Sequence, residues 1–488
     1  MPTKFISEVI PISEIEKWKN GDRVLITSQT GTGKSQWVKD QLYEYCLQHN
    51  KKILLLSNRI LLKNQNEEEL DGIKSDIITL RNYQAMETNF LYGNSLDAIM
   101  SEFDYIVYDE IHYILSDSSF NSNTDILMFY LKKPSPNKVS IFITATPQAI
   151  LKYNKEYEYK YTLEQDYSFI NKLYFYTKDE MVGNIIDNIP LDEKILYFGN
   201  ALDGFEFSLD IANSEFICSD NNKEFKSRSS RSTMKEIVTK NEFSNRILFS
   251  TKVLDNGVNI ISPSLKHIII DMADPIDLVQ CLGRKRIVGD EKINVYIKNQ
   301  IGNNIYPRLK SARERLKLVE ERQQLGKEEF QKKYARKSID NVIMNDGEIN
   351  WAKVYYTKYA EDVYSKIVKP KTYQKYVRGA LGIKESLNAE EYFEKKNLSD
   401  ILNSYIGKKL YGGLEQEEFK NMFFENVFNL KRKLDVRSRG VTSINSILEE
   451  DELPYRMTKG RSGDKDNKNK RYWMISKLEI MPDLHKDV

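Results

Sequence analysis

Between residues 20 and 300, short runs of apolar and β-branched residues alternate with stretches whose apolar positions recur every three or four residues. That alternation predicts parallel strands joined by helical crossovers. The first series of predicted strands is Arg23–Thr27, Ile53–Ser57, Ile77–Thr79, Tyr105–Tyr108 and Ser140–Thr144. The second is Lys172–Tyr176, Ile195–Phe198, Glu215–Cys218, Arg246–Ser250, His267–Asp271 and Ile293–Ile297. A polar, Tyr- and Lys-rich stretch from Leu151 to Leu163 breaks the rhythm, and a lobe boundary is predicted there, giving two α/β lobes over 1–155 and 156–305.

After residue 300 the pattern turns helical and charged. Leu309, Ala312, Leu316 and Val319 place one apolar stripe on a long helix, expected to pack on the second lobe. Six tyrosines between Tyr355 and Tyr376 fall among lysines. Aromatics among cations can stack bases, but tyrosine at helical spacing is the mark of a packed core, and the core reading is favoured. Ser443 is the expected cap of a short helix carrying Ile444, Ile447 and Leu448. A Gly- and Lys-rich stretch, Lys459–Arg471, then leads into a predicted strand at Tyr472–Ile475. Helices followed by a basic hairpin loosely resemble a winged-helix DNA-binding module, but an ordinary surface hairpin is the favoured reading; 306–488 is expected to be a mostly helical basic region with one of these two endings.

The chain has 488 residues, of which 40% are hydrophobic, enough for roughly three domains of ordinary size. No apolar run approaches the roughly 18 residues that span a bilayer, and the first residues lack the pattern of a signal peptide. The expectation is a cytoplasmic protein with no membrane partner. Cys46, Cys218 and Cys281 are odd in number and far apart, which excludes a disulfide framework or a cysteine zinc cluster. Net charge is +2 overall, but −7 over residues 1–300 and +9 over 301–488. A basic last third is a candidate for contact with phosphate backbone; a solvated Lys-rich surface is the competing reading.

Three segments carry the chemistry. The apolar run Val24, Leu25, Ile26 breaks into a Gly-rich turn, Thr30, Gly31, Thr32, Gly33, ending in Lys34 and Ser35. Such a strand, loop and helix start wraps phosphates with backbone N–H groups, brings the lysine to the β and γ phosphates and the hydroxyl to Mg²⁺. Ser28 stands where the common pattern has its first glycine. Asp109 and Glu110 follow the run Tyr105–Tyr108, at the carboxyl end of a parallel strand, where such sheets bind ligands. Adjacent acids there supply a metal ligand, Asp109, and a base for water, Glu110. His112 lies two residues on, placed to link nucleotide state to lobe position. Lastly, QCLGRKR (Gln280–Arg286) carries the positive charge a second lobe must bring to a γ phosphate.

In this order the segments resemble a superfamily 2 helicase of the DExH type, over about residues 20–300. The resemblance implies two RecA-like parallel-sheet lobes in tandem, with ATP and Mg²⁺ as cofactors. LLLSNRILLKNQ and TLRNYQ resemble the motifs that touch the nucleic-acid strand, which implies that role for Ser57, Asn58, Arg59 and Gln84. ITATP resembles the coupling motif, with Thr144 and Thr146. FSTKVLDNGVNI implies a strand contact at Thr251 and nucleotide contacts at Gly257 and Asn259, where the family often has Asp. Gln280, Gly283 and Arg284 match QxxGRxxR, but the last arginine comes one residue early, at Arg286. This shorter form resembles replication-origin-binding helicases of viruses and mobile elements; the arginine-finger role falls on Arg284 and Arg286 jointly. The implied function is an ATP-dependent helicase or translocase on single-stranded or forked nucleic acid, DNA before RNA. An origin reader or a nucleotide-gated clamp is the alternative. No adenine-recognition motif precedes the loop, leaving Phe5 and Trp18 as candidate stacking rings, with core packing the stronger reading for Trp18.

Overall fold

The computed structural model describes residues 5–29, 31–58, 76–119, 121–132, 135–153, 156–220, 222–255, 258–336, 340, 342–427 and 440–479. They form two compact units, one of residues 1–175 with 190–386 and one of 176–189 with 387–488.

The larger unit holds two sheets. The first is built from β1 (Arg23–Thr27), β2 (Ile53–Ser57), β3 (Ile78–Asn82), β4 (Tyr105–Tyr108), β5 (Val139–Thr144) and β6 (Tyr159–Thr162), in the order β3-β2-β4-β5-β1-β6, with every pairing parallel. Uninterrupted apolar runs make these strands because both faces are covered: Val24 and Ile26 enter one core, Leu25 the other. The second sheet contains β7 (Ile170–Tyr176), β8 (Lys194–Phe198), β9 (Ser214–Ile217), β10 (Ile247–Ser250), β11 (Leu265–Ile270) and β12 (Ile293–Lys298) in the order β7-β12-β11-β8-β10-β9. Two parallel α/β lobes in tandem are therefore present, as the RecA-like reading requires.

Two boundaries differ from expectation. The stretch Leu151–Leu163 does not separate the lobes: β6 lies within it and pairs with β1, so the first sheet runs past residue 155. Its alternating exposure hid it, with Tyr159 and Tyr161 half-buried and Lys160 exposed. Ser443 does not cap a helix either. The helix begins at Val441, whose side chain is buried, and the cap position falls on Gly440.

Helices follow the second sheet. Gly302–Leu325 carries the expected stripe, with Leu309, Ala312 and Val319 buried and Leu316 half-buried, and it packs along Trp351–Ile367, while Ile305 at its start joins the core of the sheets. Tyr359 and Tyr373 are buried, and the neighbouring tyrosines pack around the same core. The core reading of the tyrosine-rich stretch holds. The smaller unit has its own core, centred on Leu402, Phe419, Phe423, Ile444, Met457 and Ile475. Among the described residues no helix is long and apolar enough to cross a membrane.

Candidate active site

Strand order alone gathers the site. β5 lies between β1 and β4, with Thr27 beside Thr144 and Tyr108 beside Phe142, so the loops after these three strands open side by side on the carboxyl edge.

The loop after β1 turns at Gly31 (φ 92°) and Gly33 (φ 81°), left-handed conformations that a side chain disfavours. Ser28 N–H donates to Thr144 O at 3.0 Å, and Thr32 Oγ1 donates to Gln29 O at 2.8 Å. Lys34 opens α1 (Lys34–Trp37), and its buried Nζ lies 2.8 Å from Glu110 Oε1. Ser35 is half-buried on the next position.

The turn after β4 is held from two sides. Asp109 N–H donates to Leu56 O at 2.8 Å, and the Tyr83 hydroxyl of α2 (Tyr83–Leu91) donates to Asp109 O at 2.8 Å. Glu110 takes a left-handed backbone, φ 50°, a conformation that costs about 1–2 kcal/mol outside glycine. This aims its carboxylate back at Lys34. His112 stands at the start of α3 (Tyr113–Ser116), its Nδ1 3.4 Å from Glu110 Oε2 and 3.1 Å from Thr144 Oγ1, which in turn accepts from Thr146 N–H at 3.0 Å. Burial holds the imidazole below its ordinary pKa; the charge of Glu110 opposes this, and those of Lys34 and Arg284 assist it. Lys34, Glu110, His112, Thr144 and Thr146 thus form one connected chain of contacts.

The second lobe contributes α4 (Pro275–Leu282). Asp274 caps it, its Oδ1 accepting from Ile276 N–H at 2.9 Å. Arg284 is 1% exposed. Its Nε donates to Gln280 O and its Nη2 to Gln280 Oε1, both at 3.0 Å. Arg286 is placed differently. Its Nε donates to Asn259 Oδ1 at 2.7 Å, and its Nη1 comes within 3.0 Å of where a Cβ on Gly31 would stand. Of the two arginines, Arg286 is the one seen to reach the loop after β1, and Asn259 helps to hold it.

Among the other expected contacts, Gln84 Nε2 donates to Asn58 Oδ1 at 3.1 Å and also reaches the Tyr113 hydroxyl, while Ser57 is buried at the end of β2. Thr251 lies just past β10, its Oγ1 accepting from Val253 N–H at 3.3 Å. Thr30, Arg59 and Gly257 lie outside the described residues. Trp18 is buried against Trp37, Tyr159 and Tyr161, whereas Phe5 is 43% exposed with a ring carbon 3.6 Å from a Cβ built on Gly33.

Sequence reasoning missed three participants. Asp274 carried a signal, since Asp before Pro is a helix-start pattern. Its partner did not: the Tyr356 hydroxyl donates to Asp274 Oδ2 at 2.8 Å from 82 positions away. Gln29 clasps the backbone of Asp166, donating to its O at 3.1 Å and accepting from its N–H at 2.8 Å, which ties the phosphate loop to the connection between the sheets.

Residues 4–149 match the family model described as "Type III restriction enzyme, res subunit". Solved structures similar to this chain include the Escherichia coli DEAH/RHA helicase HrpB, 13% identical, with 60% of this chain and 42% of that chain covered and a TM-score of 0.41. A fragment of an HsdR subunit of a type I restriction enzyme from Vibrio vulnificus is 17% identical, with 59% and 61% covered and a TM-score of 0.39. The chain therefore spans less than two thirds of the length of either. No curated protein sequence matches it. The first lobe is therefore similar to the domain which that family model describes, and a second parallel sheet follows it in the chain.

Proposed function

We propose that this chain is an ATP-driven translocase or helicase of the DExH type, acting on single-stranded or forked DNA. The observation that carries the reading is the continuous contact chain from Lys34 through Glu110 and His112 to Thr144, with Arg286 set over Gly31.

The donor set fits a nucleoside triphosphate with Mg²⁺: a glycine-turned backbone loop, a buried ammonium, the Ser35 hydroxyl and the Asp109 carboxylate. Gln280 Nε2 and Ser28 Oγ are buried with no hydrogen-bond partner among the described residues, and buried polar groups are ordinarily satisfied. Ser35 and Asp109 are the residues that would hold Mg²⁺, which when bound neutralises phosphate charge. Lys34 gives its charge to the β and γ phosphates and lets go of Glu110. Glu110, released from the ammonium, orients the attacking water and accepts its proton. Arg286 covers the charge that develops on the far side, while Arg284 keeps α4 and its following turn in place.

His112, Thr144 and Thr146 connect the nucleotide end to the loop after β5. Ser57, Asn58, Arg59, Gln84 and Thr251 are the proposed strand contacts. The early position of Arg286, through its resemblance to origin-binding helicases, supports a place in replication of a virus or mobile element. The test is strand displacement on a forked duplex. Wild type should separate the strands only with ATP, and Lys34→Ala and Glu110→Gln should not. ATP-dependent binding without displacement by wild type would replace this reading with a nucleotide-gated clamp.

A further inference from the structure

We infer that the basic hairpin of the smaller unit grips the phosphate backbone of duplex DNA without reading its sequence. The inference rests on the reading of the chain as a nucleic-acid motor and adds the element that holds the duplex.

The smaller unit runs helix Ala389–Tyr405, strand Leu410–Tyr411, helix Gly412–Glu425, helix Val441–Glu450, strand Tyr455–Arg461 and strand Arg471–Lys477. The last strand lies between the other two, antiparallel to both. Three helices with a small sheet that ends in a hairpin resemble the winged-helix arrangement.

The hairpin is rigid. Its two long strands pair without a break from Tyr455 opposite Lys477 to Arg461 opposite Arg471. Gly460 leaves room for the Tyr472 ring, which lies across the strand so closely that a Cβ would stand 2.5 Å from its nearest atom and the ring would have to shift. The tip is closed by Ser462 N–H donating to Lys470 O at 3.0 Å and Asn469 N–H donating to Ser462 O at 2.8 Å.

Residues 459–471 hold six cations, Lys459, Arg461, Lys465, Lys468, Lys470 and Arg471, against Asp464 and Asp466, a net charge of +4. Asp464 is already engaged, accepting from Lys409 Nζ at 2.8 Å and Ser462 Oγ at 2.9 Å. Its charge is cancelled from within the unit, and all six cations of the hairpin are left to face outward. A stiff ridge carrying this density of positive charge complements a row of phosphates.

The helix that would read base edges has the opposite character. Val441–Glu450 ends in exposed Glu449 and Glu450, followed by Asp451 and Glu452. These carboxylates, at the end of the helix and just past it, repel phosphates on that side, so the contact inferred is the one the hairpin makes with the backbone.

The experiment uses the full chain and the variant Lys465→Ala/Lys468→Ala/Lys470→Ala, all three positions exposed. Affinity for two duplexes of equal length and unrelated sequence is measured by fluorescence anisotropy over a salt series, alongside basal ATPase. Wild type should bind both duplexes alike. The variant should keep basal ATPase, lose at least about tenfold in duplex affinity, and show a log–log salt slope shallower by about 2 to 3, since each phosphate contact contributes about 0.9. An unchanged slope and affinity overturns the inference, as does a strong preference of wild type for one sequence. Failure of the motor reading shows separately, as a wild-type ATPase indifferent to single strands.

Discussion

Lys34 Nζ and Glu110 Oε1 lie 2.8 Å apart in a pair that is almost wholly buried. A buried ion pair adds little net stability once desolvation is counted, and this one is bought with a left-handed glutamate. On the function proposed above its value is mechanistic: the cation meant for phosphate and the carboxylate meant for water restrain each other until nucleotide separates them. Glu110→Gln should therefore lower kcat by about 10²–10⁴ while a fluorescent ATP analogue still binds. Lys34→Ala should lose binding itself. Retention of kcat within tenfold in Glu110→Gln would remove Glu110 from the role of base.

The two arginines should fail in different ways. Arg286→Ala removes a charge facing the phosphate loop and should lower kcat by about 10²–10³ with little change in melting temperature. Arg284→Ala strands Gln280 and a buried carbonyl, a loss on the order of 1–3 kcal/mol, and should melt earlier. Kinetics and thermal denaturation measured on both variants decide it. A reversal of the pattern would make Arg284 the finger.

Trp351–Ile367 touches both lobes. Near its start Asn350 Nδ2 donates to Ser122 O at 3.0 Å and Ala352 N–H to Asp125 Oδ1 at 2.9 Å, and one turn later Tyr356 reaches Asp274. Tyr356→Phe loses a single hydrogen bond, about 1 kcal/mol. Asp274→Ala also loses the cap of α4, about 1 kcal/mol more. Urea denaturation should rank them in that order, and equal losses would take the cap out of the account.

His112 sets a pH dependence with a definite sign. Its folded pKa lies below the ordinary 6.5 because burial disfavours the charged ring. The unfolded chain therefore binds more protons, and stability is full above about pH 6.5 and falls as pH drops below it. Denaturation midpoints at pH 7.5 and 5.5 should show a smaller drop in His112→Gln than in wild type. Equal drops would mean that His112 does not carry the effect.

The strands that build the site were legible because they are unbroken apolar runs: β1, β2 and β4 have the bounds their sequence predicts. The two edges of the first sheet were less so, one missed and the other cut short. β6 reads as polar because only alternate residues meet Trp18 and the core, and β3 extends to Asn82 through half-buried positions. The candidate site residues stood out by type and spacing, yet the different placements of Arg284 and Arg286 did not. They depend on which guanidinium Gln280 ties down and which Asn259 turns toward Gly31, and both are facts of packing. The Tyr356–Asp274 contact joins residues far apart in sequence and leaves no local trace.

The central claim is that this ATPase answers to nucleic acid, and steady-state ATP hydrolysis across single- and double-stranded DNA and RNA tests it most directly. The account predicts a rate that rises severalfold or more with single-stranded DNA and is absent in Lys34→Ala. A wild-type rate that no polynucleotide alters would contradict it.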